Sequence, residues 1–306
     1  MADDAVAALD CGTNSTRLLI ADSHGTTVER HMRITRLGEA VDATHKLSVD
    51  AIGRTISVLR EYKTRMDVNG VERARLVATS AARDAVNADE FLTAAEQATG
   101  ARPELLTGDE EGRLSFAGAT ASLPTEAGSS TSVLVVDIGG GSTELVAGVL
   151  PPTSGPVGSA AGPRSLPAPG EVKAVSLDIG CVRLTERFLH HDPPLPSELA
   201  DATTFVESEV RRARAELPAA DDHGVLIGLA GTVSTLAAMT LGISDYDRSL
   251  IHHFRLSRAQ VDSWRERLGA EDHHARLGRP GMVEGRADVI LGGVIVLAAV
   301  LAGFWY

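Results

Sequence analysis

Two short apolar runs along this chain stop in the same way. Residues 133–136 are continuously apolar and lead into Asp137; Gly139, Gly140, Gly141 and Ser142 then form a turn, and a second β-like run begins at Thr143. Residues 5–21 superpose on this stretch without a gap, Asp10 on Asp137, Gly12 on Gly139, Ser15 on Ser142, Thr16 on Thr143 and Arg17 on Glu144. A buried strand that ends in a carboxylate and turns on glycines leaves successive backbone N–H groups facing outward with no Cβ in the way, a nest suited to phosphate oxygens. Glycines alone would equally make a tight hairpin that needs positive φ. Repetition of strand, Asp, Gly turn, Ser-Thr and strand favours two related half-molecules, each offering a carboxylate and a phosphate-sized loop to a shared cleft.

The pattern around each loop also repeats. Residues 17–23 and 27–37 read as strands that complete a three-stranded meander. Ser48 has the character of an N-cap, and Ile52, Ile56, Leu59 and Tyr62 recur at helical spacing until Gly70 ends the helix. A strand at 74–78 leads into Thr79-Ser80-Ala81-Ala82-Arg83, followed by a helix at 88–98, a strand around 104–106 and a helix opening at Gly108-Asp109-Glu110-Glu111. The first domain is expected over 1–127 and the second over 128–306, with a mobile Pro/Gly/Ser/Ala-rich insertion at 151–170. The strand 173–177 ends in Asp178-Ile179-Gly180-Cys181, a long charged helix covers 196–217, and the strand 225–229 ends in Ala230-Gly231-Thr232. A helix that starts directly after such a strand makes a further anion site.

Residues 289–306 are uninterruptedly apolar and reach the length of a membrane helix. Their glycines and alanines weaken the hydrophobicity and no basic flank follows, so a buried helix, packing back on the first domain, is expected instead. The first ten residues lack a basic n-region and a long apolar core, so no signal peptide is expected. Its 306 residues, 43% hydrophobic and 23% charged, suffice for two domains with cores of their own. A net charge of -12 argues against nucleic acid as a partner, so a phosphate-rich substrate must be met by local arginines, backbone nests and a divalent cation. Cys11 and Cys181 form no disulfide framework or zinc site, which fits a cytoplasmic location. Each stands beside a proposed phosphate loop, where backbone N–H groups favour a reactive thiolate; small buried inert residues are the commoner alternative.

With these residues assembled, the chain resembles the exopolyphosphatase and guanosine pentaphosphate phosphohydrolase family, within the actin, Hsp70 and sugar-kinase superfamily. The likeness rests on Asp10-Cys11-Gly12-Thr13-Asn14-Ser15, Thr79 to Arg83, Glu110-Glu111-Gly112-Arg113-Leu114, Asp137 to Leu145, Asp178 to Cys181 and Ala230-Gly231-Thr232. It implies an α/β fold of two ribonuclease-H-like (actin-like ATPase) domains with an interdomain cleft that takes a linear phosphate chain. Cys11 stands where many relatives carry Ser or another small residue, and the additional helical domains that extend the substrate channel in long family members are not expected here. Short chains are therefore the expected substrate.

Hydrolysis of a terminal phosphoanhydride needs positioned phosphates, charge neutralisation and an in-line water. The resemblance implies Glu111 as the base that acts on the water; from position alone it would only complement the helix dipole. Glu144 fills on one hairpin the slot that Arg17 fills on the other, a base against a cation. The phosphate-binding set is expected to comprise Gly12, Thr13, Asn14, Ser15, Arg17, Ser80, Arg83, Gly139, Gly140, Gly141, Ser142, Thr143, Gly180, Cys181, Gly231 and Thr232. Arg83 is the candidate clamp, its planar fork matching phosphate, or else a surface residue pairing with Asp84 or Asp89. Asp10 and Asp137 either hold Mg²⁺ or Mn²⁺ through water or cap their own turns. A monovalent cation and a homodimer complete the expectations. The pairs His190-His191, His252-His253 and His273-His274 read as solvated surface, as does the run Arg211, Arg212, Arg214.

The leading expectation is an exopolyphosphatase that releases orthophosphate from inorganic polyphosphate. Hydrolysis of pppGpp uses the same parts and is the alternative, ahead of a non-catalytic polyphosphate or alarmone sensor, which the presence of both Glu111 and Glu144 disfavours, and of a sugar kinase.

Overall fold

The computed structural model describes residues 5–121, 123, 130–151, 171–217 and 224–304. By contacts the chain divides into two compact units, Met1–Gly108 and Asp109–Tyr306. In the first, β1 (Val6–Cys11), β2 (Ser15–Ala21) and β3 (Thr27–Ile34) form the antiparallel meander, and β4 (Arg73–Ala78) and β5 (Pro103–Leu105) join parallel to β1, giving the order β3-β2-β1-β4-β5. The third strand stops at Ile34 rather than 37 because the Thr35 and Arg36 amides turn away to donate to the Asn14 carbonyl, both at 3.0 Å.

Alternation along β1 and β2 sends Leu9, Cys11, Leu18 and Ile20 to one face of this sheet and Asp10 and Arg17 to the other. Helix α1 (Val41–Thr44) precedes the long α2 (Val49–Val68), which lays Ile56, Leu59, Tyr62 and Met66 on the apolar face. The Ser48 hydroxyl caps α2 by accepting from the Ala51 amide at 3.1 Å. After α3 (Ser80–Arg83), α4 (Ala88–Thr99) adds Phe91 and Ala95 to the same core.

The second unit opens with α5 (Gly108–Thr120), then β6 (Thr131–Ile138), β7 (Thr143–Leu150) and β8 (Lys173–Leu177) as a second antiparallel meander. Helices α6 (Cys181–Phe188) and α7 (Pro196–Glu216) follow, and β9 (Val225–Leu229) lies parallel to β6, so the order is β8-β7-β6-β9. This is the order β3-β2-β1-β4 again, so the repeat visible in the sequence is a repeat of topology.

Helices α8 (Ala230–Leu241), α9 (Arg248–Ile251), α10 (Arg258–Ala270), α11 (His273–Leu277) and α12 (Ile290–Gly303) complete the unit. One face of its sheet carries Leu134, Val136, Ile138, Leu145 and Ala147 against α7 and α12; the other carries Val133, Val135 and Val146 against Phe116 of α5. The boundary expected at 127 groups α5 with the first unit, whereas its packing groups it with the second. Gly112 permits that packing, since a Cβ there would lie 2.9 Å from Val146 Cγ2.

Helix α12 is buried along its length among α6, α7, α8 and α10 of its own unit. Among the described residues no helix is long and apolar enough to cross a membrane. The expected insertion falls almost entirely on 152–170, outside the described residues.

Candidate active site

The two glycine turns close alike. Gly12 N–H donates to Ser15 O and Gly139 N–H to Ser142 O, each at 3.0 Å. None of Gly12, Gly139, Gly140 and Gly141 has positive φ, so the hairpin reading of these glycines does not account for them. What surrounds them does. The carbonyls of Gly139 and Gly140 accept from the Cys181, Val182 and Arg183 amides at 2.9–3.1 Å, and Gly141 O accepts from Arg183 Nε at 2.8 Å. The N–H of a trans peptide points opposite its C=O. Anchoring these three carbonyls on α6 therefore turns the amides of Gly140, Gly141 and Ser142 away from it as a set of donors. Gly180 allows the approach, because a Cβ there would sit 2.3 Å from Gly140 O.

In this arrangement the Cys181 amide holds the loop and Gly180 gives it room. The first amides of α6 hold the loop and are not presented to an anion. In the first unit the segment after β3 does the same work, with Thr35 and Arg36 amides on Asn14 O and the Gly38 amide on Thr13 O at 2.8 Å.

The catalytic candidates lie on the α5 face of the second sheet. Register places Ser176, Glu144 and Asp137 side by side across β8, β7 and β6. Ser176 Oγ donates to Glu144 Oε1 at 2.8 Å, and Ser115 Oγ of α5 donates to Asp137 Oδ2 at 2.5 Å. Glu144 is 1% exposed, and its Oε2 has no hydrogen-bond partner among the described residues. Burial, then the neighbouring carboxylates of Glu111 and Asp137, push the Glu144 carboxyl well above the usual glutamate range, with hydrogen bonds from Ser142 and Ser176 pulling back. Residues passed over in the sequence thus frame the acids. Ser115 and Ser176 belong to no motif; strand register brings Ser176 to the site and the packing of α5 brings Ser115.

In the first unit the corresponding row is Met32, Arg17 and Asp10. Arg17 Nη1 bonds Asp10 Oδ2 at 3.1 Å, so an ion pair stands where the second unit has two acids. Thr13 Oγ1 and Ser80 Oγ are 2.8 Å apart, which joins the first loop to the Thr79–Arg83 turn. Arg83 Nη1 donates to Leu106 O at 2.8 Å.

Other expected residues have structural duties. The Thr143 hydroxyl donates to Ile179 O, and Thr16 Oγ1 pairs with Thr35 Oγ1 at 2.9 Å. Thr232 is buried against α12, where a Cβ on Gly293 would meet its hydroxyl at 2.2 Å. Gly231 lies under the Arg286 guanidinium, whose Nη1 donates to Gly231 O at 2.8 Å and to Thr235 Oγ1 at 2.9 Å. Arg286 carries no sequence signal that links it to this helix start.

Both cysteines are buried, and burial pushes both thiols up, Cys181 to about 11 and Cys11 further, with Asp10 adding to the effect. Burial and the raised thiols favour the inert reading over the reactive thiolate. All six paired histidines are exposed. Arg211 and Arg212 pair with Glu207 and Glu209 on a solvated face, while Arg214 turns inward to Gly303 O at 2.6 Å.

The donors gathered around Glu144 are oxygens alone, the type Mg²⁺ takes. Among the described residues no three His, Cys, Asp or Glu side chains form a metal cage. One or two carboxylates completed by substrate oxygens and water is the pattern that remains, and it suits magnesium. Asp137 and the partnerless Glu144 Oε2 fit it; Asp10 is already in an ion pair with Arg17.

Fold and site together describe a phosphate-handling hydrolase. The sequence matches the Ppx/GppA phosphatase family over residues 19–305, and the chain belongs to that family. It is 40% identical to exopolyphosphatase 2 of Mycobacterium tuberculosis over 309 residues, 97% of this chain and 90% of that protein. The crystal structure of an exopolyphosphatase-like protein is similar at 36% identity with a TM-score of 0.85, covering 98% of this chain and 89% of that one. An Aquifex aeolicus member of the family is similar at 34% identity with a TM-score of 0.74, covering 99% and 91%. Membership implies use of a divalent cation such as Mg²⁺.

Proposed function

We propose that this chain is a Mg²⁺-dependent exopolyphosphatase that hydrolyses the terminal phosphoanhydride of short inorganic polyphosphate. The observation that carries the reading is the buried Glu144 carboxyl, raised by burial and by Glu111 and Asp137, with one oxygen lacking a hydrogen-bond partner. A carboxylate with a raised pKa is a competent base near neutral pH. Two of the relatives described above are named an exopolyphosphatase and an exopolyphosphatase-like protein, which points to polyphosphate. Two ribonuclease-H-like units are the finer description of the fold, supported by the shared strand order. The unbridged cysteines go with a cytoplasmic location.

In the mechanism, the amides of Gly140, Gly141 and Ser142 bind oxygens of the terminal phosphate. Arg17 and Arg83, both in the first unit, are cations of the kind that pairs with phosphate oxygens. Glu111 orients a water in line with the terminal phosphorus, and Glu144 accepts its proton. As the new P–O bond forms, the bridging P–O bond breaks, orthophosphate leaves, and the shortened chain keeps the bridging oxygen. Asp137 would hold Mg²⁺, which when bound would supply neutralising charge for the phosphoryl oxygens.

Orthophosphate release from short polyphosphate, long polyphosphate and pppGpp, each with and without Mg²⁺, tests this reading. The fastest turnover is expected on short polyphosphate with Mg²⁺. Turnover of pppGpp alone would replace the substrate assignment, and no release from any of the three would remove it.

A further inference from the structure

We propose that Ser176 and Ser115 are positioning residues of the acid pair, each holding one oxygen of one carboxyl so that the other oxygen faces the reaction. The proposal rests on the hydrolase reading above. Ser176 stands directly across β7–β8 from Glu144, and its hydroxyl occupies Oε1 at 2.8 Å, which fixes the carboxyl plane and leaves Oε2 as the reacting oxygen. Ser176 is itself exposed. Water could satisfy its hydroxyl, and deleting that hydroxyl opens no buried cavity, so a role in stability alone is small.

The repeat supplies an internal control. The residue at the corresponding place in the first unit is Met32, opposite Arg17, where no carboxylate needs holding. On the other side, Ser115 lies four residues after Glu111 on α5, so the two side chains share a helix face. The bond from Ser115 to Asp137, 2.5 Å, ties that face to the end of β6 and thereby fixes where Glu111 can reach.

The test uses S176A and S115A, with S176T and S115T as rescuing variants that keep the hydroxyl. Each alanine variant is expected to lower kcat on short polyphosphate about tenfold or more with KM nearly unchanged, the size of one hydrogen bond to a charged group. Threonine should restore most of the rate. Wild-type kcat in both alanine variants, or a loss that threonine does not repair, would overturn the proposal. A crystal structure of S176A gives a readout independent of turnover. Rotation of the Glu144 carboxyl supports positioning even if polyphosphate proves not to be the substrate, and an unmoved carboxyl contradicts it.

Discussion

Glu144 faces Asp137 across the β6–β7 ladder at the same place where Arg17 faces Asp10 across β1–β2. One hairpin end thus carries an ion pair and the other a pair of acids. The first pair is partly exposed, 40% for Arg17 and 34% for Asp10, so it contributes little to stability. Arg17→Ala is expected to change stability by no more than ~1 kcal/mol while raising KM for polyphosphate severalfold. A large drop in melting temperature with unchanged KM would make Arg17 a structural residue.

Glu144 gives a pH signature. Its folded pKa is raised, so the folded protein binds this proton more tightly than the unfolded chain does. The resulting stability is full below the ordinary value of 4.5 and is lost as pH rises through the folded value. In Mg²⁺-free buffer, Glu144→Gln should therefore melt ~3 °C or more above wild type at pH 8, with the gap closing by pH 4. A gap that is the same at both pH values would mean that Glu144 is not raised by its surroundings.

Gly180 lets α6 approach the second glycine loop. An added Cβ would lie 2.3 Å from Gly140 O and 2.4 Å from Gly140 C, both backbone atoms. Gly180→Ala should cost ~1–3 kcal/mol or more. Gly53, inside α2 with nothing within 4 Å of an added Cβ, is the control, and its change to Ala should gain ~0.5–1 kcal/mol. Equal effects in thermal melts of the two variants would contradict the close approach.

Cys11 and Cys181 are buried thiols. A chromogenic disulfide reagent at neutral pH should label neither in the folded protein and both after denaturation. Fast labelling of either in the native state would place that loop at the surface.

Much of the fold could be read from the chain because each signal was local. The strands Lys173–Leu177 and Val225–Leu229 have the limits that their apolar runs indicate, and Ser48 and Gly70 bound α2 as cap and terminator. The superposition of residues 5–21 on 132–148 became an identical ladder register, because alternation with period two leaves register no freedom once one face is buried. Ser115, Ser176, Arg183 and Arg286 could not be found this way. Their partners are set by pairing between strands or by helix packing, which no spacing in the chain encodes. Around Gly180, Cys181 and Thr232 the contacts with neighbouring backbone and helices are likewise set by packing that the local sequence does not encode.

The most direct measurement is the rate of orthophosphate release from short polyphosphate by Glu111→Gln and Glu144→Gln beside the wild type, at saturating substrate and Mg²⁺. Both substitutions keep shape; one removes the carboxylate that orients the water and the other the proton acceptor, so kcat should fall on the order of a hundredfold or more with KM changed far less. Near wild-type kcat in both variants would contradict the assignment of the buried acid cluster as the catalytic centre.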